Sequence, residues 1–357
     1  MKVIFAKKEL LKAVNKIGKI ALFYKNNELY NNLKISCDKS VVFKINNDVA
    51  SLETSIEGEI QEQGEICVNP CDFVNIVSSI NSEIIQIELI NSRLHIRGNE
   101  NLEVCLPVLA NENFVLGPNL SDFKEKQSFT LDSNVLKDAF INCLPFENPK
   151  SLIQGVNFRL DENKKLRICC CSELSACLYY IGDVKTKREL DSDIDFTLDT
   201  RFLKDFKDIF NNKEVRLSVY NSFLNLQTED TKLILRFLNK NFPFIEKVLQ
   251  TPFNKELPIF KKAFEQAFDL IDVITKNIDA TVIYKNRQCT IKHEQGVNVV
   301  TNIDSTIEED IRIEREQLRK VFKLVNKDKL TALFMETPKP LMIKEDNKLF
   351  LISVLVK

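Results

Sequence analysis

The sequence predicts an α+β protein made of three copies of one unit, each with two helices packed on antiparallel sheets. Three observations carry this. Segments beginning at Ile66 (ICVNPCDFVNIVSS), Asp195 (DFTLDTRFLKDFKDIF) and Ile311 (IRIEREQLRKVFKLV) share one layout. Each is an alternating strand, a polar residue suited to a helix cap, an amphipathic helix of about three turns, and then strands joined by Asn, Asp or Pro turns. A second set of segments precedes these, each giving one strand and one helix: MKVIFAKKELLKAVNKIGKI at the start, QSFTLDSNVLKDAFINCL from Gln127 and ELPIFKKAFEQAFDLIDVI from Glu256. Turn-rich stretches at Gly117–Lys126 and Gln250–Leu257 then divide the chain, so that domains are expected at 1–122, 123–250 and 251–357.

The elements follow in order. Lys2–Ala6 alternates, and the helix after it puts Leu10, Val14 and Ile17 on one face. NLKISCD and VVFKIN are strands of period two, and a polar residue suited to a cap opens the next helix. In the second unit QSFTLDSNVLKDAFINCL gives one short strand and one helix, and LRICC belongs to a strand. In the third, ATVIYKNRQCTIKHE continues the strands. A helix over 314–328 sets Leu318, Val321, Phe322 and Val325 against a face carrying Glu316, Arg319, Lys320, Lys323 and Lys327.

Of the 357 residues, 28% are charged and 44% hydrophobic, with 8 glycines and no tryptophan, a globular composition. No apolar run approaches the roughly 18 residues a membrane span needs, and MKVIFAKKEL turns charged too early for a secretory leader; the expectation is a cytoplasmic protein that does not engage membranes. Ten cysteines are then expected to be reduced thiols serving as small apolar residues. A net charge of −1 excludes a globally basic nucleic-acid binder, so any basic surface must come from local segregation of charge.

Catalytic signatures are missing. No GxxxxGK[ST] or GxGxxG occurs, and His95 and His293 are the only histidines. Cys67 and Cys71 are one residue too far apart for a CxxC pair. In the run Cys169–Cys171 alternate side chains point to opposite faces, so three in a row cannot hold one metal. Neither a metal nor a cofactor nor a catalytic residue is expected, and a thiol enzyme centred on the cysteines is the remote alternative.

The triple unit, with a start of the type MKxxxxKxxLLKAV, resembles the bacterial DNA polymerase sliding clamp, the beta subunit of the replicative polymerase. The resemblance runs over the whole chain. Local support comes from LPVLANENF at Leu106–Phe114, FTLDSNVLKDAF at Phe129–Phe140 and NFPFIEKVL at Asn241–Leu249. It implies three clamp domains per chain and a homodimer closed head to tail into a ring, with Phe114 and Leu270 at the dimer interface. It implies a non-enzymatic processivity factor in DNA replication that encircles duplex DNA without reading its sequence. It also implies partners held by short linear motifs: the replicative polymerase, the clamp loader and repair proteins. A paralogue that keeps the fold but serves as an interaction scaffold is the alternative.

For the DNA face, the resemblance directs attention to Lys7, Lys8, Lys12 and Lys16 on the first helix and to Lys25 and Lys150. Arg201, Lys204 and Lys207 follow in the middle domain, and Arg319, Lys320, Lys323 and Lys327 in the last. Any one such helix, read alone, is better explained as a solvated face. For the partner pocket it points to Ile153, to the segment containing Cys171, Glu173, Leu174 and Ala176, to Pro243 and Val248, and to Leu351, Ser353 and Leu355. Where the family carries a T-D-x-x-R-L-type wall, this chain has CSELSA, and LISVLVK stands for an L-I-x-P-V-R-type ending. A changed preference among partner motifs is expected from that.

Overall fold

The computed structural model describes all residues except 22–31, 100–101, 149, 151–152, 188, 190–191, 211–212, 240–241, 244, 276–278, 294–295, 304–307, 335–339 and 356–357. The first repeat opens with β1 (Lys2–Ala6) and α1 (Lys7–Ala21). Then come β2 (Leu33–Cys37), β3 (Val41–Asn46), β4 (Ala50–Ile56), β5 (Glu59–Glu62) and β6 (Gly64–Val68). It closes with α2 (Pro70–Ser79), β7 (Ile84–Ile90), β8 (Arg93–Arg97) and β9 (Glu103–Pro107).

The second repeat runs β10 (Gln127–Asp132), α3 (Ser133–Cys143), β11 (Val156–Leu160), β12 (Lys165–Cys171), β13 (Ser175–Asp183) and β14 (Ile194–Leu198). Two short helices follow, α4 (Thr200–Leu203) and α5 (Phe206–Ile209), and then β15 (Glu214–Val219), β16 (Phe223–Gln227) and β17 (Thr231–Arg236). A turn, α6 (Glu246–Leu249), leads to the third repeat: β18 (Lys255–Phe260), α7 (Lys261–Ile274), β19 (Asp279–Lys285), β20 (Gln288–His293) and β21 (Val297–Asn302). The chain ends with β22 (Glu309–Glu314), α8 (Arg315–Phe322), β23 (Lys329–Phe334), β24 (Leu341–Glu345), β25 (Lys348–Ile352) and β26 (Val354–Leu355).

These elements form four antiparallel sheets. In order they are β5-β1-β7-β8-β9; β10-β15-β16-β17-β4-β3-β2-β6; β14-β11-β12-β13-β25-β24-β23-β18; and β21-β20-β19-β22-β26. Both eight-stranded sheets join two repeats by one rule: the third strand after the second helical segment of a repeat pairs with the fourth strand of the repeat before it. Thus β17 lies on β4 with Leu233 opposite Leu52, and β25 lies on β13 with Leu351 opposite Ala176. The described residues accordingly fall into two compact units that share out the middle repeat. One holds Met1–Lys137, Val184–Asp191 and Leu198–Leu238; the other holds Asp138–Asp183, Ser192–Thr197 and Asn239–Lys357.

Periodicity explains the burial. On α1, Leu10, Ala13, Val14, Ile17 and Ile20 are buried at three and four spacing, and on α7 Phe264, Ala267, Phe268 and Ile271. Asn69 caps α2 by accepting from the amides of Cys71 and Asp72, with Pro70 at the first helical position, where no amide hydrogen is needed. Strand β2 alternates buried and half-buried residues along its length, as a sheet with one covered face requires. Two expectations need correction. The helix expected after Asp199 is broken into α4 and α5 at Lys204–Asp205, where Asp205 leaves helical geometry and its carboxylate accepts from Lys19 at 2.9 Å. The helix expected over 314–328 stops at Phe322, because Val325 turns in to the core and Glu345 takes the amides of Asn326 and Lys327.

Candidate functional site

The strand registers of the second unit build an apolar strip. Cys171 lies opposite Ala176, Ala176 opposite Leu351, Leu351 opposite Met342, and Met342 opposite Leu333. One row therefore crosses β12, β13, β25, β24 and β23. A second row, two residues along, sets Cys169 opposite Leu178 and Leu178 opposite Leu349. Ile245 is buried on this strip, and Ile153, Phe242, Val248, Leu249 and Phe253 pack on it while remaining partly exposed. The result is an apolar floor with a half-open apolar rim, the form that accepts side chains of a short peptide.

The covering segment is fixed by ions. Arg167 on β12 is buried, donates from Nε to Glu246 Oε1 at 2.7 Å and from Nη1 to Asn157 Oδ1 at 2.6 Å, and so pins α6 over the sheet. The Asn157 amide in turn donates to Asp195 at 2.6 Å. At the strip's other end the turn 172–175 closes through a Ser172 amide bond to the Ser175 carbonyl at 2.8 Å. The chain near the C-terminus ties to that turn: Ser353 donates from its amide to the Leu174 carbonyl at 2.8 Å.

Of the expected pocket residues, Ile153, Cys171, Ala176, Val248 and Leu351 come together in this one cluster. Pro243 is half-buried beside it, its carbonyl accepting from the Ile245 amide at 2.9 Å; Glu173 is exposed and Leu174 half-buried at the turn. Leu355 lies elsewhere. It sits on β26 opposite Arg312 of β22, in the five-stranded sheet, because the chain leaves β25 at Ser353 and crosses to a different edge. Sequence reasoning missed Cys169, Leu178, Ile245, Met342 and Leu349. The alternate spacing of Cys169 with Cys171 and of Leu349 with Leu351 is the signal that could have found two of the four strand positions.

The cysteine run obeys the alternation. Cys169 and Cys171 face the strip, while Cys177, opposite Cys170, lies with its Sγ 3.8 Å from the Sγ of Cys143. All ten cysteines are free. Burial pushes the thiols of Cys169, Cys170 and Cys177 well up, and that of Cys171 up to about 12, so they are neutral packing groups rather than nucleophiles.

The basic residues divide into two sets. Lys16 is buried and donates to Thr231 Oγ1 at 2.6 Å, with Asp230 at 3.4 Å, so it braces α1 against β17 and cannot face DNA as expected. Burial lowers its pKa. Arg319 is paired with Asp269, Asp272 and Glu316. Arg201 is paired with Asp199. Lys320 is half-buried with its Nζ 5.9 Å from the centre of the Phe146 ring, and burial lowers its pKa too. Lys7 donates to the carbonyl of Ile80, and Lys12 pairs with Glu9. By contrast Lys8, Lys150, Lys204, Lys323 and Lys327 are exposed and carry no ion pair among the described residues. Lys25 lies outside the described residues, as does the side chain of Lys207. Phe114 is 9% exposed, so its own chain already covers most of what a dimer contact would use, whereas Leu270 is 46% exposed on α7.

Three repeats joined strand to strand, with a peptide-sized apolar strip on one fused sheet, make a clamp-type fold. Solved clamps share this fold throughout. The Helicobacter pylori beta clamp bound to a DNA ligase peptide matches with a TM-score of 0.87 at 15% identity, covering 100% of both chains. The Bacillus subtilis DNA polymerase sliding clamp matches at 0.86 and 17%, covering 100% of this chain and 99% of that one. A putative DNA polymerase III beta subunit from Eubacterium rectale matches at 0.85 and 19%, covering 99% of each. No curated protein matches the sequence. Residues 1–120 match the family of the DNA polymerase III beta subunit, N-terminal domain.

Proposed function

We propose that this chain is a DNA polymerase processivity factor that works as a ring of two copies around duplex DNA. The pairing rule between repeats carries the reading. It joins β17 to β4 and β25 to β13, and of the strands in those two roles it leaves one of each at a sheet edge: β9, the third strand after the second helix of the first repeat, and β21, the fourth strand of the third. The same rule applied between two copies pairs β9 of each with β21 of the other. Such a contact is heterologous, and a heterologous contact that closes after two copies gives a ring. Exposed Val300 on β21 supports an apolar contact there.

A ring that slides must hold phosphates without reading bases, which needs positive side chains and no base-specific geometry. Lys8, Lys204, Lys323 and Lys327 meet that requirement. The apolar strip of the second unit is the proposed docking site for polymerase, clamp loader and repair proteins; the solved Helicobacter pylori clamp with its ligase peptide supports a peptide occupant by analogy. Two anchors removing about 300 Å² of apolar surface yield about 7 kcal/mol at ~25 cal/mol per Å², less several kcal/mol for ordering. That is micromolar to millimolar binding, weak enough for partners to exchange. Small Cys171 and Ala176 at one end of the strip, with Glu173 exposed beside them, favour a motif other than the Q-L-x-L-F type.

The test is processive synthesis. With its matching polymerase and loader on a long primed template, the chain should lengthen products per binding event, and full-length protein that dimerises but leaves product length unchanged would refute the reading in favour of a scaffold. Titration with a Q-L-x-L-F-type peptide should show weak binding; ordinary clamp affinity would overturn the altered preference alone.

A further inference from the structure

The five-stranded sheet of the first repeat brings together three metal-binding side chains that lie apart in sequence. Strands β8 and β9 are in register with His95 opposite Cys105 and Arg97 opposite Glu103. Leu94, Ile96 and Leu106 point into the core, so His95, Glu103 and Cys105 stand together on the outer face. His95 Nδ1 is 2.6 Å from Glu103 Oε1 and 3.3 Å from Cys105 Sγ, and all three donor atoms lie within 4.8 Å of one another. Among the described residues no other group of histidine, cysteine and carboxylate donors meets that condition.

The arrangement is wrong for a proton relay. A histidine that links a carboxylate to a thiol uses opposite ring nitrogens, whereas here Nδ1 is the nearer nitrogen to both, with Nε2 3.9 Å from the sulfur. Convergence of three donors on one point is instead the geometry of ligation. We propose that His95, Glu103 and Cys105 bind a divalent transition-metal ion of the zinc type.

The chemistry fits that class. Imidazole, thiolate and carboxylate are all zinc ligands, and bond lengths of about 2.0–2.3 Å put tetrahedral neighbours about 3.5 Å apart. The nitrogen–sulfur separation already matches. The nitrogen–carboxylate separation must open by somewhat less than an ångström, as it does when a hydrogen bond gives way to a shared ion. A soft thiolate selects against magnesium and calcium. Thiolate and carboxylate together offset the charge of the ion, while Arg97, whose Nε donates to Glu103 Oε1 at 3.0 Å, opposes it. Arg97 has a second acceptor in Glu88 and can release Glu103 without losing its own partner. Three ligands leave one position open, and because the side chains stand off the face of the sheet, pairing at the edge of β9 does not bury them. The inference is therefore independent of ring formation.

Cobalt(II) is the probe, titrated into the reduced full-length chain with ultraviolet and visible absorption as the readout. One ion per chain should bind with a thiolate-to-cobalt charge-transfer band, and zinc should abolish the band by displacement. Cys105→Ser should remove the band. His95→Ala and Glu103→Gln should weaken binding by about tenfold or more, since even outer-shell losses at metal sites cost that much. Arg97→Gln should tighten it. Binding should release protons and strengthen as pH rises, because the thiol must ionise. Failure of wild-type protein to give the band, or a band that survives Cys105→Ser, would overturn the proposal; all four variants replace exposed or half-buried side chains, and unchanged thermal melts exclude a folding artefact.

Discussion

If the third repeat closes against the first repeat of a second copy, α7 and β21 supply that contact, and Val273→Lys should break it. Val273 is 85% exposed, Ile274 51% and Leu270 46% on α7, and Val300 is 52% exposed on β21. Burying one such valine is worth about 1.5 kcal/mol at the low end for a branched aliphatic side chain. A closed ring of two copies makes the contact twice, so the substitution removes about 3 kcal/mol before any cost of burying the ammonium. At 1.4 kcal/mol per decade the dimer dissociation constant should rise about 100-fold. The protomer should be untouched: an exposed substitution away from special geometry shifts stability by about 0.5 kcal/mol or less, and a cation in the last turn of a helix is favourable. Sedimentation velocity over a dilution series reads the constant directly. Ile141→Lys, an exposed apolar position on α3, should leave it unchanged. A midpoint that moves less than a few fold in Val273→Lys, with the same melting temperature, would refute the placement of the contact at this end of the third repeat.

Three further outcomes are expected. For Asp230, burial raises the carboxyl pKa, but hydrogen bonds from Lys213 and Thr228 and the charges of Lys16 and Lys213 outweigh it and hold the group well below its usual range. A depressed folded value contributes stability above the unfolded pKa near about 4 and loses it as pH falls; the melting gap between wild type and Asp230→Asn should therefore be full at neutral pH and shrink below about pH 4. Native alkylation followed by mass spectrometry should label Cys105 rapidly and leave Cys169, Cys170, Cys171 and Cys177 unmodified until the protein unfolds, because burial keeps those thiols neutral. In salt titrations of DNA-loaded protein, replacing Lys323 and Lys327 with Gln should lower the log–log slope by about 1.8, at about 0.9 per phosphate, whereas Lys16→Gln should leave it unaltered.

What could be read from the sequence follows the range of its signals. Periodicity is local, so α1 and α7, with Leu10, Val14 and Ile17 or Phe264 and Phe268 at helical spacing, were legible, as was the strand alternation of VVFKIN. Register is not local. That Cys171 meets Ala176, Leu351 and Met342 in one row depends on pairing between segments up to 180 residues apart (351 less 171), and no single stretch encodes it. The same reason hid the His95 cluster: His95 and Cys105 are ten residues apart, a spacing that signals nothing until a hairpin sets them face to face. The crowded cysteines at Cys169–Cys171 drew the question of a metal, yet alternation separates them, while a solitary Cys105 acquires two ligating neighbours.

Charge shows the limit from another side. Lys16 and Lys323 are indistinguishable as letters on a basic amphipathic helix, and only packing assigns one to a hydrogen-bonded brace and the other to solvent. Position along the helix decides. Lys16 follows Ala13 and precedes Ile17, within the buried stripe of α1, where its ammonium meets Thr54, Thr231 and Asp230. Lys323 comes one residue after Phe322, where α8 has ended and the chain has turned. A lysine inside the apolar stripe must find oxygen partners or leave a buried charge unpaired, and here those partners come from strands of two repeats, β4 and β17, with Asp230 just before β17. The brace thus holds the strand junction between repeats that the ring proposal extends to a second copy. On that proposal a near-neutral chain suffices, because the cations that hold the repeats together and those proposed to meet phosphate are different residues.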